Sequence, residues 1–418
     1  MLTGLMKLPV FILILSASLG AAYAKFVEPW QKGVDLTAAA ERIPYTEERG
    51  FGYELVTESH TTGAAFLYSI KVPEGNYRVT VILGGDDAGN TTVKAESRRL
   101  MLEAVVTAPG ETVTRSFLIN VRDTNLPPPE KNAPGGSAVV INDREVGSFT
   151  WDDKLTLEFS GAAPLVKSVH IEPAAVPTVF LLGDSTVTDQ RWEDGASWGQ
   201  MLPRFLSGVA VANHAESGET LKSFITGLRL AKVLSQLKAG DYVFIQFGHN
   251  DQKQQWPQTY AEAATTYRAY LRTYIAEVRL RGATPVLVTS VQRRSFDEQG
   301  KIKNTHGDYP SAVRDVAAES GVALIDLHRM STALYEALGP VRAPLAFAAD
   351  GKDATHHNNY GAYVLAQCVA QGIRDAGLPL AEALADDFTG FDPAQPDDPA
   401  AFVLPASAQH SDLRPRGD

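Results

Sequence analysis

Cysteine is almost absent. Cys368 is the single one among 418 residues, so an intrachain disulfide and a cysteine-based metal site are both excluded. Basic stretches are absent too. Lys plus Arg total 38 against 49 Asp plus Glu, a formal net charge of −11, and no dense cationic run interrupts that balance. Neutralising a phosphate backbone needs a cationic face, so nucleic acid is not an expected partner. Charged residues make up only 21% of the chain and hydrophobic residues 44%. That combination excludes whole-chain disorder and a coiled coil, and it leaves material for a large core. The length predicts two domains with tails.

Long apolar runs are scarce as well. The one candidate is at the N-terminus, where Lys7 precedes an apolar run from Leu8 to Leu19 and Ala22-Tyr23-Ala24 supplies the small residues a signal peptidase reads. The run is short for a bilayer span of about 20 residues. The pattern predicts a Sec-type signal peptide over residues 1–24, cleaved before Lys25, and a product that is periplasmic or extracellular without stable membrane insertion. Losing Lys7 moves the formal net charge from −11 to −12.

From residue 25 to about 175 the hydrophobic pattern has period two. Strand candidates run over Phe66–Val72, Tyr77–Leu83, Val113–Val121, Ser137–Ile141, Leu155–Phe159 and Val166–Ile171, separated by turn residues. Short strands at turn-rich spacing predict an antiparallel β-sandwich. After a linker around Pro173–Pro177 the period changes. Short continuous apolar runs at Thr178–Leu182, Val209–Ala212, Tyr242–Phe247, Pro285–Thr289 and Ala323–Ile325 alternate with helical stretches. One such stretch places Tyr267, Tyr270, Leu271, Tyr274, Ile275 and Val278 on a single face. Five buried strands alternating with helices predict a three-layer parallel α/β domain over residues 176–384, with any ligand at the carboxyl ends of its strands. Residues 385–418, rich in Asp, Pro and Ala, read as a tail, loose or draped over the surface.

The residues just after those strands carry the chemistry. Gly183-Asp184-Ser185-Thr186 follows the first, Asn213 to Gly218 the second, and Gly248-His249-Asn250-Asp251 the third. Asp353-Ala354-Thr355-His356 precedes the last helix. A serine hydroxyl needs a neighbouring base to become a nucleophile, an imidazole can be that base, and a carboxylate three residues before it can orient the ring. Asn250 and the backbone N–H groups of Ser185 and Gly218 can stabilise an oxyanion. No metal or other cofactor is needed for this chemistry, and none is expected. Asp350, Asp353, His356 and His357 could instead be read as a metal cluster, but acyl transfer already accounts for Asp353 and His356.

At this point the sequence resembles the SGNH, or GDSL-type, hydrolases, whose markers are matched by Ser185, Gly218, Asn250 and His356. Within that superfamily it is most similar to the rhamnogalacturonan acetylesterases. The narrower likeness rests on Gly183 to Val187, Phe247 to Asp251, Arg293-Arg294-Ser295-Phe296, Tyr309-Pro310 and Asp353 to His356. The resemblance implies a flavodoxin-like domain behind a galactose-binding-like sandwich, and a serine esterase that removes acetyl groups from the rhamnogalacturonan of pectin. The expected partner is thus an acetylated pectic polysaccharide. A GDSL-type esterase or lipase for another acyl ester such as acetyl-xylan, and a non-catalytic carbohydrate-binding protein, are the alternatives.

Several residues carry two readings. His357 sits beside the expected base, although the three-residue spacing from Asp353 selects His356. His249 and Asp251 read as loop-holding residues, His214 as a core or loop histidine, and Cys368 as inert and buried. Arg293 and Arg294 follow the fourth strand and could grip a uronate carboxylate with a planar fork, or belong to a solvated loop. Tyr45, Phe51, Tyr53 and Trp151 could stack on sugar but read better as core or interface.

Overall fold

The computed structural model describes residues 32–36, 42–54, 65–129 and 131–407. The expected signal peptide, residues 1–24, lies outside the described residues. Among those that are described, no helix is long and apolar enough to cross a membrane.

Among the described residues, nine strands build an N-terminal β domain: β1 (Lys32–Asp35), β2 (Phe51–Tyr53), β3 (Phe66–Lys71), β4 (Gly75–Gly84), β5 (Gly89–Ala95), β6 (Arg99–Thr107), β7 (Thr112–Val121), β8 (Lys154–Ala163) and β9 (Val166–Pro173). They form two antiparallel sheets, ordered β1-β9-β4-β7 and β2-β3-β8-β5-β6. Alternate residues face inward, as the pleat dictates. Val79, Val81, Val169 and Ile171 from one sheet and Ile70, Leu155, Leu157 and Phe159 from the other share a single core.

The second sheet is also covered on its outer face, which is polar. Thr156, Glu158 and Lys94 point away from the sandwich core yet are 0–4% exposed. The rest of the chain covers them. Residues Pro405 and Ser407 bond Lys94 Nζ at 2.6 and 2.8 Å, so the described part of the tail, which packs Phe388 and Phe402 on the second domain, reaches the N-terminal domain at residues 405–407. Arg99 pairs with Asp189 at 2.7 Å and Arg98 with Glu193 at 2.6 Å, nearly sealed from solvent. Leu100 joins the core of the second domain.

This covering explains why the charge-rich strands β5 and β6 carried no legible strand pattern: their outer charges meet a protein surface, not water. Ser137–Ile141, in contrast, is not a strand. It makes one isolated bridge, Asn125 with Ala138, and Val140 N–H donates to the Gly227 carbonyl at 3.0 Å. That backbone bond docks a long loop onto the second domain, and the Val140 side chain itself is 63% exposed.

The second domain holds β10 (Thr178–Gly183), α1 (Trp198–Met201), β11 (Ala210–Asn213), α2 (Leu221–Thr226), α3 (Arg229–Gln236), β12 (Tyr242–Gln246), α4 (Thr266–Leu280), β13 (Thr284–Val288), α5 (Tyr309–Ser320), β14 (Ala323–Ile325), α6 (Leu327–Arg342) and α7 (Asn359–Asp375). The five strands pair in parallel, in the order β11-β10-β12-β13-β14. Both faces are apolar because helices cover both. Val179 and Leu181 enter the core with α1, α6 and α7, and their neighbours Phe180 and Leu182 enter the one with α2 to α5. The strand order reverses beside β10, where an open α/β sheet offers a crevice beyond its carboxyl ends. On α7, Cys368 is fully buried, and burial pushes its thiol pKa up.

Candidate active site

Four loops meet at that crevice. The chain leaves β10 in a turn in which Val187 and Thr188 N–H both bond the Asp184 carbonyl at 3.0 Å. Ser185 is therefore no helix cap; α1 is capped by Ser197. Ser185 is 6% exposed, and its Oγ lies 2.9 Å from His356 Nε2. The other ring nitrogen, Nδ1, lies 2.9 Å from Asp353 Oδ2. The second Asp353 oxygen accepts the backbone N–H of Thr355 at 2.6 Å and of His356 at 2.8 Å. Burial alone would raise the Asp353 carboxyl, but its hydrogen bond to His356, the ring's charge and the two N–H donors hold it well below the usual carboxylate range. Asp353 is thus a permanent anion aimed at the ring that faces Ser185.

The adjacent ring turns elsewhere. His357 is fully buried, bonds Tyr335 Oη through Nε2 at 2.6 Å, and packs on Tyr335 and Phe347. Burial pushes its pKa down to about 3. The structure thus brings His356, and not His357, to Ser185.

Across the crevice, Gly218 has φ +82°, a left-handed conformation open to glycine at little cost. The Asn250 amide donates to the neighbouring Glu219 carbonyl at 3.1 Å and is nearly buried. Asp251 ties this edge together, accepting Leu221 N–H and Gly248 N–H at 2.9 Å each. Gly248 has φ +131°, and a Cβ there would lie 2.5 Å from Ser290 Oγ. His249 bonds His306 between Nδ1 and Nε2 at 3.0 Å. Burial lowers the pKa of both rings, and each packs inside the loops.

Arg294 directs Nη2 at the carbonyls of Gly351, at 2.7 Å, and Asp353, at 3.0 Å. Its own N–H bonds the Ala354 carbonyl at 2.8 Å. It tethers the loop that carries Asp353 and His356. Arg293 reaches the His249 carbonyl at 3.3 Å and Thr305 Oγ1 at 3.3 Å, beside Asn250. Trp151 is buried at the seam between the domains, with its indole N–H on Glu145 Oε1 at 2.8 Å and the Arg122 guanidinium over its ring. His214 lies edge-on behind it. Phe51 and Tyr53 pack on the sandwich core, and Tyr45 lies under Lys154. Among the described residues, no three His, Cys, Asp or Glu side chains converge as a metal site requires.

Three residues at this site were not singled out by the sequence pattern. Gln190 donates through Nε2 to the Ser185 carbonyl at 2.7 Å. Glu216 is 4% exposed two residues before Gly218. Arg144, from the N-terminal domain, reaches both neighbourhoods. Proximity in sequence to Ser185 and Gly218 could have flagged the first two. Nothing in the sequence places Arg144 here.

Residues 181–363 match the GDSL-like Lipase/Acylhydrolase family. The rhamnogalacturonan acetylesterase RhgT of Bacillus subtilis (strain 168) is 42% identical over 220 residues, which cover 49% of this chain and 93% of that protein. The probable rhamnogalacturonan acetylesterase YesY of the same organism is 39% identical over 212 residues, 49% of this chain and 96% of that protein. Its uncharacterized esterase YxiM is 27% identical over 317 residues, 74% of this chain and 75% of that protein.

Proposed function

The chain belongs to the GDSL-like lipase/acylhydrolase family and is a carboxylic ester hydrolase, and on that premise we propose that it removes acetyl groups from pectic rhamnogalacturonan through a Ser185–His356–Asp353 triad. The observation that carries the triad is the unbroken chain of two 2.9 Å contacts from Ser185 Oγ through the imidazole to Asp353. His356 takes the Ser185 proton as Oγ attacks the acetyl carbonyl, and Asp353 stabilises the imidazolium that forms. The ring then returns the proton to the departing sugar oxygen, and water repeats the sequence on the acyl-enzyme. Negative charge develops on the former carbonyl oxygen, where the N–H groups of Ser185 and Gly218 and the Asn250 amide are the proposed donors.

The polymer assignment is supported by the 42% identity to a rhamnogalacturonan acetylesterase. It is also supported by Arg293, whose fork suits a uronate carboxylate and which lies beside Asn250. Arg294 we assign to tethering the Asp353–His356 loop. Export through the residue 1–24 signal completes the reading, since the polymer is extracellular.

The test is acetate release from acetylated rhamnogalacturonan, acetylated homogalacturonan, acetyl-xylan and triacetin at equal acetyl content. Preference for rhamnogalacturonan is expected. Preference for acetyl-xylan would keep the esterase and discard the pectic substrate.

A further inference from the structure

The loop between β7 and β8 leaves the sandwich and runs along the second domain. Glu145 on this loop pairs with the buried Arg229 of α3, and Trp151 fills the seam. Arg144 lies between them, with its side chain 23% exposed. Its guanidinium has three acceptors. Nη1 bonds Ser217 Oγ, the residue before Gly218. Nη2 bonds Gln190 Oε1 at 3.0 Å. Nε faces Glu216 at 3.4 Å.

Gln190 carries the contact onward, because its Nε2 donates to the Ser185 carbonyl at 2.7 Å. Its amide direction is fixed at both ends, since the turned amide would set donor against donor at Arg144 and acceptor against acceptor at Ser185. The seam is also laced in the other direction. Arg191 donates to the carbonyls of Val146, at 3.0 Å, and Gly147, at 2.9 Å. The loop from the N-terminal domain and the loop after the serine therefore hold one another.

We propose that Arg144 is a positioning residue for ester cleavage: through Ser217 and through Gln190 it fixes the backbone on both sides of the oxyanion hole, so that the N-terminal domain completes the site of the other. The inference rests on the assignment of Ser185, Gly218 and Asn250 as that hole. The residue type suits the task. A planar fork can meet Ser217, Gln190 and Glu216 together, whereas an ammonium is a point charge on a flexible stem. An oxyanion hole works only when its donors are set in advance, and a displacement of about 1 Å in a reacting geometry can cost about a hundredfold.

The experiment measures kcat and KM on a neutral aryl acetate, too small to reach a polymer-binding surface. Arg144→Ala should lower kcat by about tenfold to a hundredfold with KM little changed, and millimolar guanidinium ion should restore part of the loss. Gln190→Glu, which sets a carboxylate against the Ser185 carbonyl, should lower kcat in the same way. Arg144→Lys keeps a cation beside Glu216 but loses the fork, and should fall between Arg144→Ala and the parent; it decides the matter if the alanine variant does not fold. An unchanged kcat in these variants, a change in KM alone, or a loss that tracks a lower Tm and that guanidinium does not restore would overturn the proposal. Ser185→Ala is the parallel arm. Turnover surviving there would overturn the triad itself, whatever Arg144 does.

Discussion

The two halves of the crevice are held in different ways. The half that carries the proposed base is built within the α/β domain. Asp353 and His356 share one short loop, Asp353 binds the loop's own N–H groups, and Arg294 ties it to the loop after β13. The half that carries the serine is held from outside. Its carbonyl and the residue before Gly218 are reached through Gln190 and Arg144, across the seam with the sandwich. The charge states differ in parallel. Asp353 is kept anionic by its donors. Around the serine, burial raises the carboxyls of Asp184 to about 6 and of Asp251 and Glu216 to about 7. One half thus concentrates a permanent anion behind the base. In the other, burial makes the neighbouring carboxyls costlier to ionise, which lessens the opposition to negative charge developing there.

The largest effects should come from the atoms that join the halves. Ser185→Ala and His356→Ala should each lower kcat by about 10⁴ or more in a folded protein. Near-normal turnover in either would dissolve the comparison. Asn250→Ala removes one donor from the serine side and should cost about a hundredfold to a thousandfold in kcat with KM little changed. If KM alone moved, Asn250 would belong to substrate binding.

How far this arrangement was legible in the sequence follows the same division. The five buried strands and the residues after them stood out because a parallel sheet covered on both faces leaves continuous apolar runs with chemistry at their ends. Ser185, Gly218 and Asn250 lie in such segments, and Asp353 and His356 lie in the loop before the last helix. The strands β5 and β6 did not stand out, because Lys94, Arg98 and Arg99 are matched by Glu158, Glu193 and Asp189 only after folding. Arg144 was illegible for a like reason: its acceptors lie 46 or more residues away along the chain. From the sequence, the charge of Arg294 suits a uronate partner or a solvated loop, whereas the fold uses its hydrogen-bond geometry on two carbonyls.

That last difference gives a smaller prediction. Arg294→Ala should lower kcat by about tenfold to a hundredfold, because it loosens the loop that sets His356 against Ser185. Neutral aryl acetate and acetylated rhamnogalacturonan should suffer alike. Arg293→Ala should weaken hydrolysis of the polymer and leave the aryl acetate nearly unaffected. Equal polymer-specific losses in both variants would return Arg294 to the substrate and leave the base loop without its tether.

The smallest effect sharpens the comparison within a single dipeptide. His356 faces the serine, whereas His357 is turned into the core against Tyr335. Because burial lowers the His357 pKa to about 3 from its ordinary 6.5, the folded protein holds this ring neutral while the unfolded chain protonates it below about 6.5. The contribution of the neutral ring to stability is therefore fully present above pH 6.5 and is lost as pH falls toward 3. His357→Gln keeps a polar partner for Tyr335 Oη and removes the titration. Urea unfolding of both proteins at pH 7.5 and 5.0 measures the difference. Raised carboxyls such as Asp184, Asp251 and Glu216 pull the other way, gaining stability as pH falls, but they are common to both proteins and cancel. On going to pH 5.0 the parent should lose about 2 kcal/mol relative to the variant, the cost of about one and a half pKa units. A gap that does not change with pH would mean that His357 is free to charge in the folded state, and the separation of the two neighbouring rings into a reactive and a structural one would fail.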